Sequence, residues 1–165
     1  MKKIVPCLWF DSEAEEAANF YASVFSDASV GRVTRYGKEG HEIHGKPEGS
    51  ALTVEFDIGP VRFVALNGGP AFKFSEAVSF QVICETQEEL DYYWERLSEG
   101  GDKEAQRCGW LKDRYGLSWQ IVPEVLPEML NDQDRRRSEG VMNALLQMTK
   151  LDIGALKQAY ERAAP

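Results

Sequence analysis

Apolar and polar positions follow each other in a recognisable order along this chain. Ile4-Val5-Pro6-Cys7-Leu8-Trp9-Phe10 is an apolar run that predicts a strand. Ala14, Ala17, Ala18, Tyr21 and Phe25 then recur at spacings of three and four, which predicts a helix over about 13–25 with one buried face. A strand is expected near 30–36. Thr53–Ile58 alternates strictly between polar and apolar, and Gly59-Pro60 turns the chain into a second strand over 61–66. The same order then begins again. Val78–Cys84 predicts a strand, and 87–98 predicts a helix ended by Gly100-Gly101. Residues 110–112 and 117–122 predict a hairpin turning at Asp113-Arg114-Tyr115-Gly116.

The helix starts strengthen this impression of a duplication. Ser12 with Glu15, and Thr86 with Glu89, each have capping-box spacing, and the two boxes lie 74 residues apart. Two strands, two boxes and two hairpins in one order point to an internal repeat. The expected fold class is therefore α+β, with two βαβββ modules over about 1–70 and 75–124 forming one domain. Residues 125–165 differ in kind. Pro127–Asn131 suggests a short helical turn, and 134–150 a helix with Val141, Leu145 and Met148 on one side. Asp152 can cap a last helix carrying Ile153, Leu156 and Tyr160. Such an amphipathic extension must bury its stripe on its own module or on a second subunit.

Composition narrows the function classes. A formal net charge of −8 argues against a nucleic-acid surface, since phosphate binding needs a basic field. Three widely spaced cysteines without a Cys-x-x-Cys pair suggest a reduced, cytoplasmic protein. The N-terminus runs straight into a strand, and no apolar run approaches membrane-spanning length. His41 and His44 sit in the stretch 37–49, which holds four glycines, a proline and five charged residues and reads as a mobile surface loop.

Several stretches resemble one family. They are Pro6–Asp11 with Ala14-Glu15-Glu16-Ala17 and Phe20-Tyr21, then Leu66–Pro70 and Phe72-Lys73-Phe74. They continue through Val78–Val82, Cys108–Asp113, Tyr115-Gly116, Ser118–Pro123 and Leu151-Asp152-Ile153. Together these are similar to the PhnB-like branch of the vicinal-oxygen-chelate superfamily, which includes glyoxalase I, bleomycin-resistance proteins and extradiol dioxygenases. This branch often carries the name demethylubiquinone 3-methyltransferase. The resemblance implies half-barrel modules that enclose one cavity, and a homodimer. It also implies metal ligands on the first and last strand of each module. The corresponding positions here are Ile4 or Val5, Val78 or Ser79, one of Phe63, Val64 and Ala65, and Gln120. Divalent metals of this class need imidazole or carboxylate donors, so no metal and no cofactor is expected. The methyltransferase name is not expected to describe the activity. A nucleotide-type donor is usually held by a Gly-rich turn opening a helix, and no helical pattern follows Gly68-Gly69-Pro70.

Strand parity selects the candidate site. Leu8 and Phe10 should face the helix, which turns Cys7 and Trp9 toward the cavity. Likewise Phe80 and Val82 face the helix, while Ser79 and Gln81 turn away from it. The expected ligand-binding residues are Cys7, Trp9, Glu55, Asn67, Phe72, Phe74, Gln81 and Gln120, with Glu55 the best catalytic candidate. The ligand would be a small organic molecule carrying some hydrogen-bonding groups. Two functions remain open at this point: a metal-independent enzyme or degenerate relative of the superfamily, and a noncatalytic protein that sequesters a small molecule.

Overall fold

The computed structural model describes residues 4–163. The chain divides into two compact units at Phe74/Ser75. In the first, β1 (Cys7–Phe10) leads into α1 (Ala14–Val24), β2 (Ala28–Arg35), the single turn α2 (His41–His44), β3 (Ala51–Ile58) and β4 (Val61–Asn67). The sheet order is β1-β4-β3-β2, with β1 parallel to β4 and the other pairs antiparallel. Ala14, Ala17, Ala18 and Tyr21 are buried on α1, as the spacing predicts, Val24 joins them, and Phe25 is buried just past the helix end. Tyr21 stacks on Phe56 at 5.7 Å, and Phe56 on Phe63 at 5.1 Å. Small alanines at the helix face let the backbone approach these rings closely. The first strand is shorter than its apolar run. Pro6 has no amide to give to a ladder and contributes only its carbonyl, which accepts from Val64 N at 3.0 Å; Ile4 is left exposed.

The first expected capping box does not form. The N-cap of α1 is Glu13, and no side chain of its own segment caps the helix. Asn67, at the end of β4, does this instead. Its Oδ1 accepts from Ala14 N at 2.8 Å, while its Nδ2 donates to Ala51 O at 3.0 Å. A buried amide already held in place by a sheet loses less freedom than a surface serine when it caps a helix. The stretch 37–49 is also more organised than its composition suggests. His44 packs on Tyr36 at 4.4 Å, and Lys46 Nζ donates to Asp11 O at 2.6 Å.

The second unit begins with β5 (Ser79–Cys84) and α3 (Gln87–Ser98). A 3₁₀ turn (Lys103–Ala105), β6 (Trp110–Lys112) and β7 (Ser118–Pro123) follow. Helices α4 (Leu126–Leu130), α5 (Arg135–Leu146) and α6 (Ile153–Arg162) complete it. Here the Thr86 half of the capping box forms, while Glu89 reaches back one residue beyond the N-cap. Thr86 Oγ1 accepts from Glu89 N at 3.2 Å, and the Glu89 carboxylate accepts from Glu85 N at 2.9 Å. Leu90, Trp94 and Leu97 bury one face of α3.

The sheet order is β5-β7-β6, so this module has one strand fewer than the first. The place of β2 is taken by the 3₁₀ turn and an isolated bridge between Arg107 and Trp110. Gly100–Arg107 holds two glycines and no β-branched residue, and it is only as long as β2 itself, which leaves nothing over for the connecting turns. The helical extension lies within this second unit. Gln87 on α3 ties it down, donating from Nε2 to Leu151 O at 3.2 Å and accepting from Ile153 N at 2.8 Å. Asp152 caps α6 as expected, accepting from Ala155 N at 2.7 Å.

Candidate functional site

Each sheet has one face turned to its helix and one turned away, and register shows which residues share the latter. In the first unit Cys7 pairs with Val64 and Val64 with Glu55, forming one row across β1, β4 and β3. Trp9, Leu66 and Thr53 form the next row. Leu8 and Phe10 are buried on the opposite side, as parity predicts. Glu55 is not an isolated acid. Arg62 Nη1 lies 3.7 Å from its carboxylate, and the same guanidinium clasps Asp57 through two hydrogen bonds of 2.9 and 3.0 Å. Those bonds hold the Asp57 carboxyl below its ordinary range.

Trp9 is fixed by the connector rather than standing open. Its Nε1 donates to Gly69 O at 2.8 Å, and its ring meets Phe72 edge-on at 4.9 Å. A Cβ on Gly68 would lie 2.2 Å from that ring, so glycine there serves close packing. Phe74 packs on Phe10, on the helix side of β1, at 5.3 Å. Asn67 is also on the helix side, 5% exposed, with its amide committed to α1 and β3. Of the residues that parity and polarity select in this unit, Cys7, Trp9 and Glu55 therefore share a face, whereas Asn67 and Phe74 lie behind it.

The second unit repeats the arrangement with different chemistry. Gln81, Gln120 and Trp110 form one row across β5, β7 and β6, and Ser79, Ser118 and Lys112 form the next. Gln81 Nε2 donates to Gln120 Oε1 at 3.2 Å, and Gln120 Nε2 donates to Ser79 Oγ at 2.8 Å. This amide chain joins the two rows. Lys112 Nζ lies 2.6 Å from Glu76 Oε1, and that hydrogen bond holds the Glu76 carboxyl below its ordinary range. Beside Trp110 lies an open groove of about 680 Å³, whose walls include Glu76, Asp102, Glu104, Arg107 and Cys108. Sequence reasoning missed Trp110 and Lys112 as site residues. Their alternation with buried Leu111 in a three-residue strand was the available signal.

The row pattern also resolves the metal positions. Gln81–Gln120 on β5 and β7 matches Cys7–Val64 on β1 and β4, so Val64 is the counterpart of Gln120. The 74-residue repeat makes Val5 the counterpart of Ser79. Val5, Val64, Ser79 and Gln120 offer no imidazole and no carboxylate, and the Gln120 amide oxygen already accepts from Gln81. This set does not fit a divalent ion of the superfamily's kind. Among the described residues, no group of three His, Cys, Asp or Glu side chains could hold a metal. The thiols are equally unpromising as nucleophiles in the strands. Burial pushes Cys84 up to about 11 and raises Cys7.

A protein-family profile described as 3-demethylubiquinone-9 3-methyltransferase matches residues 2–122. The chain belongs to that PhnB-like family. It lies within the vicinal-oxygen-chelate superfamily, and solved structures agree with the placement. A PhnB protein from Bacillus cereus, which carries the same methyltransferase name, is 32% identical with a TM-score of 0.64. The match covers 74% of this chain and 99% of that one. Protein PA1353 from Pseudomonas aeruginosa is 19% identical with a TM-score of 0.56, over 75% of this chain and 98% of that one. The fosfomycin resistance protein FosX of Mesorhizobium loti is 18% identical with a TM-score of 0.52, over 79% and 98%. These last two show the fold alone. No curated protein matches the chain significantly. In this PhnB-like chain the residues after Gly68-Gly69-Pro70 form no helix, Gly68 serves the packing of Trp9, and the Gly69 carbonyl accepts from its indole.

Proposed function

We propose that this PhnB-like protein binds a small organic molecule bearing hydrogen-bonding groups, as a metal-independent enzyme of the superfamily or a catalytically degenerate relative. The observation that carries this reading is the amide chain Ser79–Gln120–Gln81, set on the strand face that bears Trp110. Gln and Ser side chains on a strand face whose Trp110 borders the groove suit recognition of a polar aromatic body, because ring contact and directed hydrogen bonds act together. Methyl transfer from a nucleotide-type donor is not part of the proposal, since the glycine pair opens no helix to receive one.

The test is ligand-induced thermal stabilisation, screened against small aromatic and quinone-like compounds in the presence of EDTA. Binding compounds should raise the melting temperature equally with and without the chelator. Gln120→Leu should weaken their apparent affinity about tenfold or more, the effect of leaving one buried ligand polar group unpaired. An unchanged response in the variant would remove Gln120 from the site. Stoichiometric zinc, nickel, iron or manganese in the purified protein would overturn metal independence.

We propose further that the protein is a cytoplasmic homodimer. Val78 and Ile83 are 64% and 50% exposed on and beside the edge strand β5, and Met142 and Leu146 are exposed on α5. Edge strands with apolar side chains invite pairing with a copy. Three free thiols suit a reducing compartment, and among the described residues no helix is long and apolar enough to cross a membrane. Light scattering should return about twice the chain mass of 18.6 kDa at micromolar concentration. A monomer there would refute the dimer.

A further inference from the structure

We propose that Lys112, Ser118 and Ser79 form a seat for the carboxylate of a small aromatic acid, a seat whose lysine is held by the Glu76 side chain in this structure. The inference rests on the reading that this sheet face holds the ligand, and it adds the ligand's charge and the group that receives it. The first observation is an orphan. Ser118 is 1% exposed, and its Oγ has no hydrogen-bond partner among the described residues. A buried hydroxyl without a partner is costly, so its retention needs a reason. Register supplies the second observation, because Ser118 stands between Ser79 and Lys112 in one row across three strands.

The donors of that row are of the kind that a negative oxygen recruits. Ser79 Oγ accepts from Gln120 Nε2, and a hydroxyl carries one further proton to donate. Ser118 has its own proton uncommitted. Lys112 adds the charge, with its side chain 21% exposed and its ammonium 2.6 Å from Glu76 Oε1. Glu76 itself is 60% exposed and lies in the irregular segment before β5. The lysine side chain is therefore mostly covered while its counter-ion stands in solvent, where exchange for another carboxylate costs little order. Charge-assisted bonds to an ammonium and two hydroxyls are the set that an oxyanion requires. The neighbouring row places the Trp110 ring and the Gln120 amide for the body of the ligand.

The groove also limits the ligand's charge. Asp102 and Glu104 line it together with Glu76, so a dianionic phosphoryl group would meet stronger repulsion than a monoanionic carboxylate. Benzoate, its neutral isostere benzamide, and phenyl phosphate separate these cases. Titration calorimetry on the full chain should show benzoate binding at least tenfold more tightly than benzamide and more tightly than phenyl phosphate. Glu76→Gln removes the competing carboxylate and should tighten benzoate about fivefold. Ser118→Ala should weaken benzoate about fivefold while leaving the melting temperature unchanged or higher, because it deletes an unpaired buried group. A purely structural hydroxyl would behave in the opposite way. Benzamide binding as well as benzoate, a drop in melting temperature for Ser118→Ala, or no gain in Glu76→Gln would each overturn the seat. Phenyl phosphate binding more tightly than benzoate would overturn the carboxylate assignment. These outcomes leave the ligand-binding reading standing. That reading falls separately, if no aromatic or quinone-like compound stabilises the protein.

Discussion

Asp113→Ala should destabilise the second unit by about 3 kcal/mol, the largest loss expected from removing a single polar side chain here. Asp113 sits at the β6–β7 turn and is only 2% exposed. Its Oδ1 accepts from Tyr115 N at 2.9 Å and Leu117 N at 3.1 Å, and its Oδ2 accepts from the Trp119 indole at 2.9 Å. Hydrogen bonds to a charged acceptor are worth about 1.5–3 kcal/mol each, and truncation leaves three donors without it. The effects of neighbouring bonds are not additive, which is why the expected loss lies below their sum. Urea unfolding followed by tryptophan fluorescence would measure it. Asp113→Asn keeps one acceptor oxygen but turns an amide donor toward other donors, so its loss should fall between those of wild type and alanine. A cost under about 1 kcal/mol for Asp113→Ala would show that the turn does not depend on this carboxylate.

Gly101→Ala should cost at least about 3 kcal/mol, through space rather than backbone conformation. A Cβ at this position would lie 2.0 Å from the Lys112 carbonyl oxygen and 3.0 Å from its carbon. Backbone cannot move aside as a flexible side chain can, so the α3 terminus and β6 would have to separate. Gly100 provides the comparison. It has a φ of +76° and only ordinary contact, 3.4 Å, with Arg114 Cβ. Gly100→Ala should therefore cost about 1–2 kcal/mol, the usual penalty of a left-handed conformation. Thermal melts of both variants would check the order. Equal losses would show that the close approach at Gly101 relaxes without strain. Because Lys112 lies on β6, Gly101→Ala should also weaken any ligand held on that strand face.

Much of this was open to a reader of the chain. The α1 stripe, the strict alternation of Thr53–Ile58 and the Asp152 cap depend on neighbours close in sequence, and the structure has them where those patterns point. Strand parity also separates Leu8 and Phe10 from Cys7 and Trp9 correctly, because side chains alternate along any strand. Other features need residues that are distant in sequence. The spacing of Ser12 and Glu15 satisfies the local rule for a cap, yet Asn67, 53 residues away, takes the Ala14 amide. Polarity alone made Asn67 look like a ligand contact, whereas the end of β4 delivers it beneath the sheet. Glu55 was the catalytic candidate by strand parity, and only the β3–β4 pairing shows Arg62 beside it.

The sequence by itself determined the duplicated order of elements, the family, and which strand positions share a parity. Each of these follows from periodicity or from extended motifs. Only the tertiary structure decided that Val64 is the counterpart of Gln120, that Ser118 stands without a partner between Ser79 and Lys112, and that Trp110 borders the groove. Cross-strand register sets these relations. Register depends on how whole strands bury their faces together, so no single segment encodes it.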